Sequence, residues 1–251
     1  MELNKEVSAI VQARMGSSRL PGKVLKLIQG KPMLWHIVDR INQVKEINRV
    51  IVATSKMKID DPIYEFTKKY NILSFRGDES DVLKRFYDTA LHYNLENIIR
   101  ITGDCPLIDP DVIKNLIRMY LKEDCDYSAV ACGACVSNMP NINRFPDGFD
   151  CEIFSLKSLK KANDESSEAL QREHVTPFIW KQKERFKVKI LYSKSIDCSE
   201  LRLTVDNIED FELIKWIYDK LYPKNNNFKF KEIIELLKNS PPNKNKHLIG
   251  S

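Results

Sequence analysis

The sequence of 251 residues has no apolar run of the roughly 18 residues that a membrane-spanning helix needs. Its first residues, Met1 to Glu6, lack the apolar centre of a signal peptide. These two absences predict a cytoplasmic protein without a membrane span. The net charge of +5 is spread over 30% charged residues of both signs, so the chain lacks the concentrated positive field of a nucleic-acid-binding protein. The expected partners are small anionic molecules.

Cysteine-based or histidine-based metal sites are not indicated either. The six cysteines are scattered through apolar or mixed surroundings, which suits reduced thiols. Cys132 and Cys135 form a C-x-x-C pair, but no second pair stands at zinc spacing and no helix opens there as in a thioredoxin-like motif. His36 lies on or beside an apolar helical stripe with no second histidine or cysteine nearby. We interpret all of these as structural side chains.

Two familiar glycine-rich nucleotide motifs are absent from the loop that follows the first apolar run, Ala9 to Val11. Gly16 and Gly22 do not have the Walker spacing, because a valine follows Lys23, and the chain shows no G-x-G-x-x-G at this place. Neither a P-loop NTPase nor a dinucleotide-dependent oxidoreductase is indicated.

The same loop nevertheless has the composition of a phosphate-binding cradle. We expect Gly16 to let the backbone turn so that amide N–H groups converge, with hydroxyl donors from Ser17 and Ser18. Its cations are Arg14, Arg19 and Lys23. Three cations within ten residues repel one another by roughly 1 kcal/mol per close pair in water, so such a loop usually has an anionic partner. A solvated basic loop is the alternative, but a triphosphate is the natural ligand.

Apolar runs alternate with helical patterns along the first half of the chain. Strands are predicted at 48–54, 72–76 and 97–102, which indicates an α/β fold. Asp104 follows the last of these strands on a turn made tight by Gly103. Because open α/β sheets bind ligands at the carboxyl ends of their strands, Asp104 is predicted to be a metal ligand.

Three local predictions can be checked directly against a structure. Asp60 and Asp61 precede a proline and should cap a helix that runs to Lys69. Ser80 should cap the next helix. An alternating strand over 201–205 should deliver Asp206 at its end.

The segment from Gln12 to Lys23, followed by Gly30 to Met33, resembles the opening of the cytidylyltransferases that activate acidic sugars, the acylneuraminate and Kdo cytidylyltransferases. It is closer still to the subgroup named after the spore-coat polysaccharide biosynthesis protein F. The resemblance implies a single α/β domain with a three-layer α/β/α, Rossmann-like nucleotidyltransferase fold and a mostly parallel central sheet. A nucleotide-binding half is expected at about 1–110 and an acceptor-binding half at about 127–222.

The resemblance also implies roles for individual residues. Asp104 and Asp206 should hold Mg²⁺, although Cys105 stands where the Kdo enzymes have an acidic residue. The catalytic set it implies is Arg14, Arg19, Lys23, Asp104 and Asp206. The acceptor contacts it implies are Asp147, Asp150, Arg172 and His174. The nucleotide contacts it implies are Gln12, Ala13, Arg14, Gly16, Ser17, Ser18, Arg19, Lys23, Arg76, Ser80, Asp81, Thr102 and Asp104.

The resulting prediction is a magnesium-dependent cytidylyltransferase that transfers CMP from CTP to an anionic sugar, sugar acid or phosphorylated acceptor and releases pyrophosphate, for cell-surface polysaccharide synthesis. The sequence leaves open whether the product is CMP-linked or CDP-linked. One alternative is a glycosyltransferase, which would usually carry Asp-x-Asp where Asp104 stands alone. Another is a non-catalytic nucleotide-binding protein, although both carboxylates and the basic loop are kept. The expected assembly is a homodimer, with the tail 240–251 mobile or resting on the partner subunit.

Overall fold

The computed structural model describes residues 6–132, 142–194 and 196–239. Strands and helices alternate along them. The strands are β1 (Val7–Gln12), β2 (Leu27–Ile28), β3 (Lys31–Pro32), β4 (Arg49–Ser55), β5 (Leu73–Gly77), β6 (Asn97–Thr102), β7 (Tyr127–Val130), β8 (Glu152–Ser155) and β9 (Val188–Leu191). The helices are α1 (Met33–Asn42), α2 (Asp61–Lys69), α3 (Val82–His92), α4 (Pro110–Glu123), α5 (Leu156–Glu165), α6 (Ala169–His174), α7 (Pro177–Trp180), α8 (Ile208–Leu221) and α9 (Phe230–Asn239).

A seven-stranded sheet in the order β5-β4-β1-β6-β8-β7-β9 forms the centre of the molecule. The neighbours from β5 to β6 pair in parallel, β8 is antiparallel to both β6 and β7, and β9 is parallel to β7. The sheet is therefore parallel except for β8. This confirms the predicted α/β architecture with a mostly parallel central sheet.

Helices cover both faces of the sheet, which explains why the strand sequences are almost continuously apolar. One core contains side chains of α1, α2, α4, α8 and α9 with one face of the sheet. The other core contains side chains of α3, α5 and α7 with the opposite face. None of the helices in the described ranges is long and apolar enough to span a membrane.

Two of the predicted helix caps are wrong. Asp60 stands at the N-terminus of α2, but its side chain accepts no capping hydrogen bond there and points to β4 and the basic loop instead. Asp81, and not Ser80, caps α3, with its carboxylate accepting from the Lys84 amide at 2.9 Å. The Asp60 carboxylate accepts from Met15 and Ser55 instead of capping α2. At α3, the cap is provided by the aspartate one residue after Ser80.

The predicted strand over 201–205 is also wrong. This segment makes only an isolated bridge, between Arg202 and Asp147, and its other backbone bonds go to loops. The edge strand β9 was not foreseen, because its alternating pattern is only four residues long. Cys135 and the predicted tail at 240–251 lie outside the described residues.

Helix starts near the site follow local sequence signals. Asp109 caps α4 by accepting from the Asp111 amide at 2.8 Å, with Pro110 at the first helical position. Asn207 and Asp210 form a capping box at the start of α8. These caps fix the residues that follow β6 and precede α8, which is where the two predicted metal-binding aspartates lie.

Candidate active site

Two segments distant in sequence meet at the carboxyl end of β6. The Val205 amide donates to the main-chain oxygen of Asp104 at 2.9 Å, and the Thr204 hydroxyl donates to the same oxygen at 3.2 Å. These bonds hold Asp104 next to Asp206. The two aspartates predicted to act together are thus brought together by backbone contacts and not only by their own side chains.

Lys23 lies between these two carboxylates. Its Nζ is 3.3 Å from Asp104 Oδ2 and 3.2 Å from Asp206 Oδ1, and it donates to the Val205 carbonyl at 2.6 Å. Only 9% of Lys23 is exposed. A buried ammonium with two carboxylates and a carbonyl is well compensated, so the lysine can be held in a fixed position.

Asp206 collects two further cations. Arg19 Nη2 is 3.0 Å from its Oδ1, and Arg202 Nη2 pairs with its Oδ2. Burial alone would raise the pKa of Asp206, but the hydrogen bond and charge of Lys23, followed by those of Arg202 and Arg19, lower it below the usual value. Asp206 is therefore a stable anion at the centre of a cationic cluster.

The basic loop, residues 13–23, is anchored at Met15. The Met15 amide donates to Asp60 Oδ1 at 2.6 Å, and its carbonyl accepts from the amides of Ser17 at 2.9 Å and Gly22 at 3.0 Å. Gly22 has a φ of 68° and makes the left-handed turn. Gly16 does not have a positive φ, so the turn predicted for Gly16 lies at Gly22 instead.

The cationic side chains of this loop differ in how many contacts they make with the rest of the protein. Arg14 is exposed, and its side chain forms no hydrogen bond or ion pair with any residue in the described ranges. The Arg19 side chain is 63% exposed and touches the protein through Asp206. Both guanidinium groups can therefore turn toward a bound anion at little cost, whereas Lys23 is already in place.

Two cavities meet at this point. The smaller, of about 310 Å³, is lined by nine of the predicted nucleotide contacts: Gln12, Ala13, Arg14, Ser17, Ser18, Arg19, Lys23, Thr102 and Asp104. The larger, of about 1000 Å³, is lined by Asp147, Asp150 and His174 among the predicted acceptor contacts. Their shared walls are Arg100, Thr102, Asp104, His174 and Asp206.

A charged pair that we did not foresee stands in the wall between the cavities. Arg100 and Glu152 are opposite each other on β6 and β8, with Nη1 2.5 Å from Oε2. Arg100 also donates to Gln12 Oε1 at 3.1 Å, and Glu152 accepts from Tyr127 and Thr176 hydroxyls, each at 2.6 Å. The sequence feature that could have predicted this pair is the single arginine inside the apolar run of β6. A charged side chain in a buried strand needs a partner of opposite charge.

The larger cavity carries acidic groups on one side. Asp147 pairs with Arg202, Nη1 to Oδ2, at 2.6 Å, and Asp150 accepts from the Gly148 amide at 3.0 Å. Burial raises the pKa of both aspartates. Gly148 has a φ of 101°, and a Cβ there would lie 2.5 Å from the Leu203 carbonyl carbon, so only glycine allows this close approach.

Five predicted site residues line neither cavity. Gly16 is exposed at the loop surface. Arg76 donates to the carbonyls of residues 55 and 57, and Ser80 donates to Asp78. Arg172 forms a two-pronged ion pair with Asp81, with Nη2 to Oδ2 at 2.5 Å and Nε to Oδ1 at 3.0 Å. This pair joins α6 to α3, and the ligand contacts assigned to Arg76, Ser80, Asp81 and Arg172 remain predictions.

The thiols near the site are unreactive in character. Cys105 lines the larger cavity, and its Sγ is 3.6 Å from Asp104 Oδ1. Burial, followed by the charge of Asp104, raises the pKa of the Cys105 thiol well above its usual value. No disulfide joins the cysteines within the described ranges.

Comparison with known proteins gives a consistent result. The profile of the cytidylyltransferase family matches residues 8–247. The chain is 31% identical to the spore coat polysaccharide biosynthesis protein SpsF of Bacillus subtilis, over 94% of this chain and 95% of that protein. It is 30% identical to an 8-amino-3,8-dideoxy-manno-octulosonate cytidylyltransferase of Shewanella amazonensis, over 55% of this chain and 56% of that protein.

A solved structure of a cytidylyltransferase from Leptospira borgpetersenii is similar over nearly the whole chain. The identity is 33% and the TM-score is 0.84, with 97% of this chain and 96% of that chain covered. The fold, the cavities and the family match agree with one another. This protein is therefore a member of the cytidylyltransferase family and an enzyme of the nucleotidyltransferase type.

Proposed function

We propose that this protein is a magnesium-dependent cytidylyltransferase that transfers CMP from CTP to an anionic sugar, sugar acid or phosphorylated acceptor, with release of pyrophosphate. The observation that carries the proposal is the shared wall of the two cavities. A basic cavity suited to a nucleoside triphosphate opens onto a larger cavity suited to a second substrate, and Asp104 and Asp206 line both. A transfer between two bound molecules needs this arrangement.

The reaction would proceed by attack of an acceptor oxygen on the α-phosphate of CTP. The bond between the α-phosphorus and its bridging oxygen to the β-phosphate breaks, and pyrophosphate leaves with the electron pair. Arg14 and Arg19 would neutralise the charge that grows on the leaving group, because both are exposed at the smaller cavity and free to turn toward it. Lys23 lines the same cavity and would add its positive charge near the reacting phosphate.

Asp104 and Asp206 fit a magnesium ion. Both present hard carboxylate oxygens within 3.3 Å of the Lys23 ammonium, which lies between them, and they would hold the ion beside this ammonium. Magnesium in nucleotide sites commonly takes one or two carboxylates and completes its shell with phosphate oxygens and water. When bound, the ion supplies charge neutralisation at the phosphates.

The acceptor class is supported by the larger cavity and by the relatives. Lys181, Lys183 and His174 line this cavity and can bind an acidic group of the acceptor. One relative is named for spore coat polysaccharide biosynthesis, and another as a cytidylyltransferase of an eight-carbon sugar acid. A role in cell-surface polysaccharide synthesis is the proposal that agrees with both names.

The test combines binding and turnover. With magnesium present, CTP should raise the melting temperature more than ATP, GTP or UTP, because a ligand that binds only the folded state stabilises it by RT ln(1 + [L]/Kd). Pyrophosphate release should then be measured with CTP and a panel of ulosonic acids, sugar phosphates and phosphorylated polyols. Product mass separates CMP-linked from CDP-linked outcomes. Equal melting shifts with all four nucleotides would overturn the cytidylyl assignment.

A further inference from the structure

Arg85 lies on α3 at the edge of the smaller cavity, and it is the least exposed of the arginines that line it. Only 3% of the residue is accessible to solvent. Its Nη1 donates to the Asp78 carbonyl at 2.6 Å and more weakly to the Glu79 carbonyl at 3.4 Å. These two carbonyls fix the plane of the guanidinium group, so the donors that remain point in defined directions.

Those remaining donors have no protein acceptor. Arg85 Nε is buried without a hydrogen-bond partner, and no residue in the described ranges accepts from Nη2 or forms an ion pair with Arg85. Asp60 lies near enough to attract the charge, but its carboxylate accepts hydrogen bonds from Met15 and Ser55 and none from Arg85. Leaving buried donors unsatisfied is costly, and folded proteins rarely do so without a functional reason.

The chain also makes room for this side chain. A Cβ at Gly77 would lie 2.8 Å from Arg85 Cγ, so β5 approaches the arginine stem as closely as glycine permits. The guanidinium is shielded from water, and this burial lowers its pKa. An apolar residue at position 85 would fill this space at lower cost than a buried arginine with two unpaired donors. We therefore interpret the recess around Arg85 as a ligand-binding feature.

The surroundings distinguish this recess from the phosphate-binding end. Arg14, Ser18 and Arg19 are exposed, which suits a strongly hydrated polyphosphate. The lining of the cavity that holds Arg85 also includes Ala13 and Val82, which are buried and apolar. A flat, weakly hydrated base with hydrogen-bond acceptors on one edge matches these walls better than a phosphate does.

We infer that Arg85 recognises the base of the nucleotide, by donating from Nε and Nη2 to the adjacent O2 and N3 acceptors of cytosine. This inference rests on the proposed function and names a residue that selects its substrate. Uracil carries an N3–H donor where cytosine has an acceptor, so it would leave one arginine N–H facing another donor. A two-pronged arginine contact of this kind is worth about 10- to 100-fold in discrimination between bases.

The experiment measures dissociation constants of CTP, UTP and inorganic tripolyphosphate for four proteins. These are wild type, Arg85→Lys, Arg85→Gln and the matched control Arg14→Gln. Both Arg85 variants should weaken CTP binding about 10- to 100-fold, bring the CTP and UTP constants close together, and leave tripolyphosphate binding within about twofold. Arg14→Gln should weaken all three ligands by similar factors, because it removes a phosphate contact.

Each other outcome contradicts the inference in a distinct way. If tripolyphosphate binding falls together with CTP binding in Arg85→Lys, then Arg85 binds phosphate and not the base. If Arg85→Lys keeps the wild-type preference for CTP over UTP, the base is selected elsewhere. Should wild type itself bind CTP no better than UTP, the proposed cytidylyl function fails first. Circular dichroism and a melting curve on each variant ensure that only folded protein is compared.

Discussion

Replacing Asp60 with alanine should destabilise the fold and loosen the basic loop at the same time. Asp60 is 1% exposed and accepts from the Met15 amide at 2.6 Å, the Ser55 amide at 3.3 Å, and the Ser55 hydroxyl. It therefore ties the end of β4 to the start of the loop that carries Arg14 and Arg19. Within the described ranges, the Met15 amide has no other hydrogen-bond acceptor.

The magnitude follows from the number of donors left without a partner. Hydrogen bonds to a charged group contribute about 1.5–3 kcal/mol each, and an unsatisfied buried donor costs about 1–3 kcal/mol. Because Met15 is partly accessible to water, we expect a total loss of about 3–5 kcal/mol in the free energy of unfolding for Asp60→Ala. At about 2–4 °C per kcal/mol for a protein of this size, the melting temperature should fall by roughly 10 °C.

The assay is urea unfolding together with the dissociation constant of CTP. Asp60→Asn keeps one acceptor oxygen for Met15 and should lose about half as much stability. The matched control is Asp61→Ala, which removes only a solvent-exposed pair with Arg76 and should cost less than about 1 kcal/mol. If Asp60→Ala cost only about 1 kcal/mol and left CTP binding unchanged, the proposed role of Asp60 in anchoring the basic loop would be refuted.

Three further predictions concern catalysis, pH and backbone geometry. Asp104→Asn and Asp206→Asn should each lower turnover about 100-fold or more while circular dichroism stays unchanged, and wild-type turnover in either variant would show that this carboxylate is dispensable. Burial lowers the pKa of His36 to about 4. Between pH 6.5 and 4, His36 is therefore protonated in the unfolded chain and neutral in the folded protein. Stability should therefore fall as the pH drops, by about 2 kcal/mol from this group between pH 7.5 and 5, and denaturant titrations should find that loss missing in His36→Gln. Gly148→Ala should lower stability by at least about 2 kcal/mol, because its Cβ would lie 2.5 Å from a facing backbone carbon. Gly16→Ala, where the Cβ has no atom within 4 Å, should change stability by less than about 0.5 kcal/mol. Similar losses in the two variants would contradict the close approach seen at Gly148.

The sequence by itself determined the parts of this protein that depend on neighbouring residues. Apolar runs such as β1 and β4 predicted a covered parallel sheet, because only strands buried on both faces are apolar at consecutive positions. Asp104 was predicted as a site residue from its place after β6, since the carboxyl ends of parallel strands share one edge of the sheet. The spacing of glycine, serine and basic residues between 13 and 23 likewise identified the basic loop.

Only the tertiary structure decided which polar side chains serve the ligand and which serve the fold. Asp60 has the sequence context of a helix cap, yet its carboxylate anchors a loop 45 residues away. Arg172 was predicted to contact the acceptor, and the fold pairs its guanidinium with Asp81, 91 residues away in the sequence. In the sequence, Arg85 is one of several polar residues on a helix. In the structure it lines the smaller cavity, and the absence of a side chain at Gly77 of β5 leaves space for its aliphatic stem. A local pattern gives the chemistry of a side chain, but its partner is set by the packing of helices and strands, which brings together residues that no sequence spacing relates.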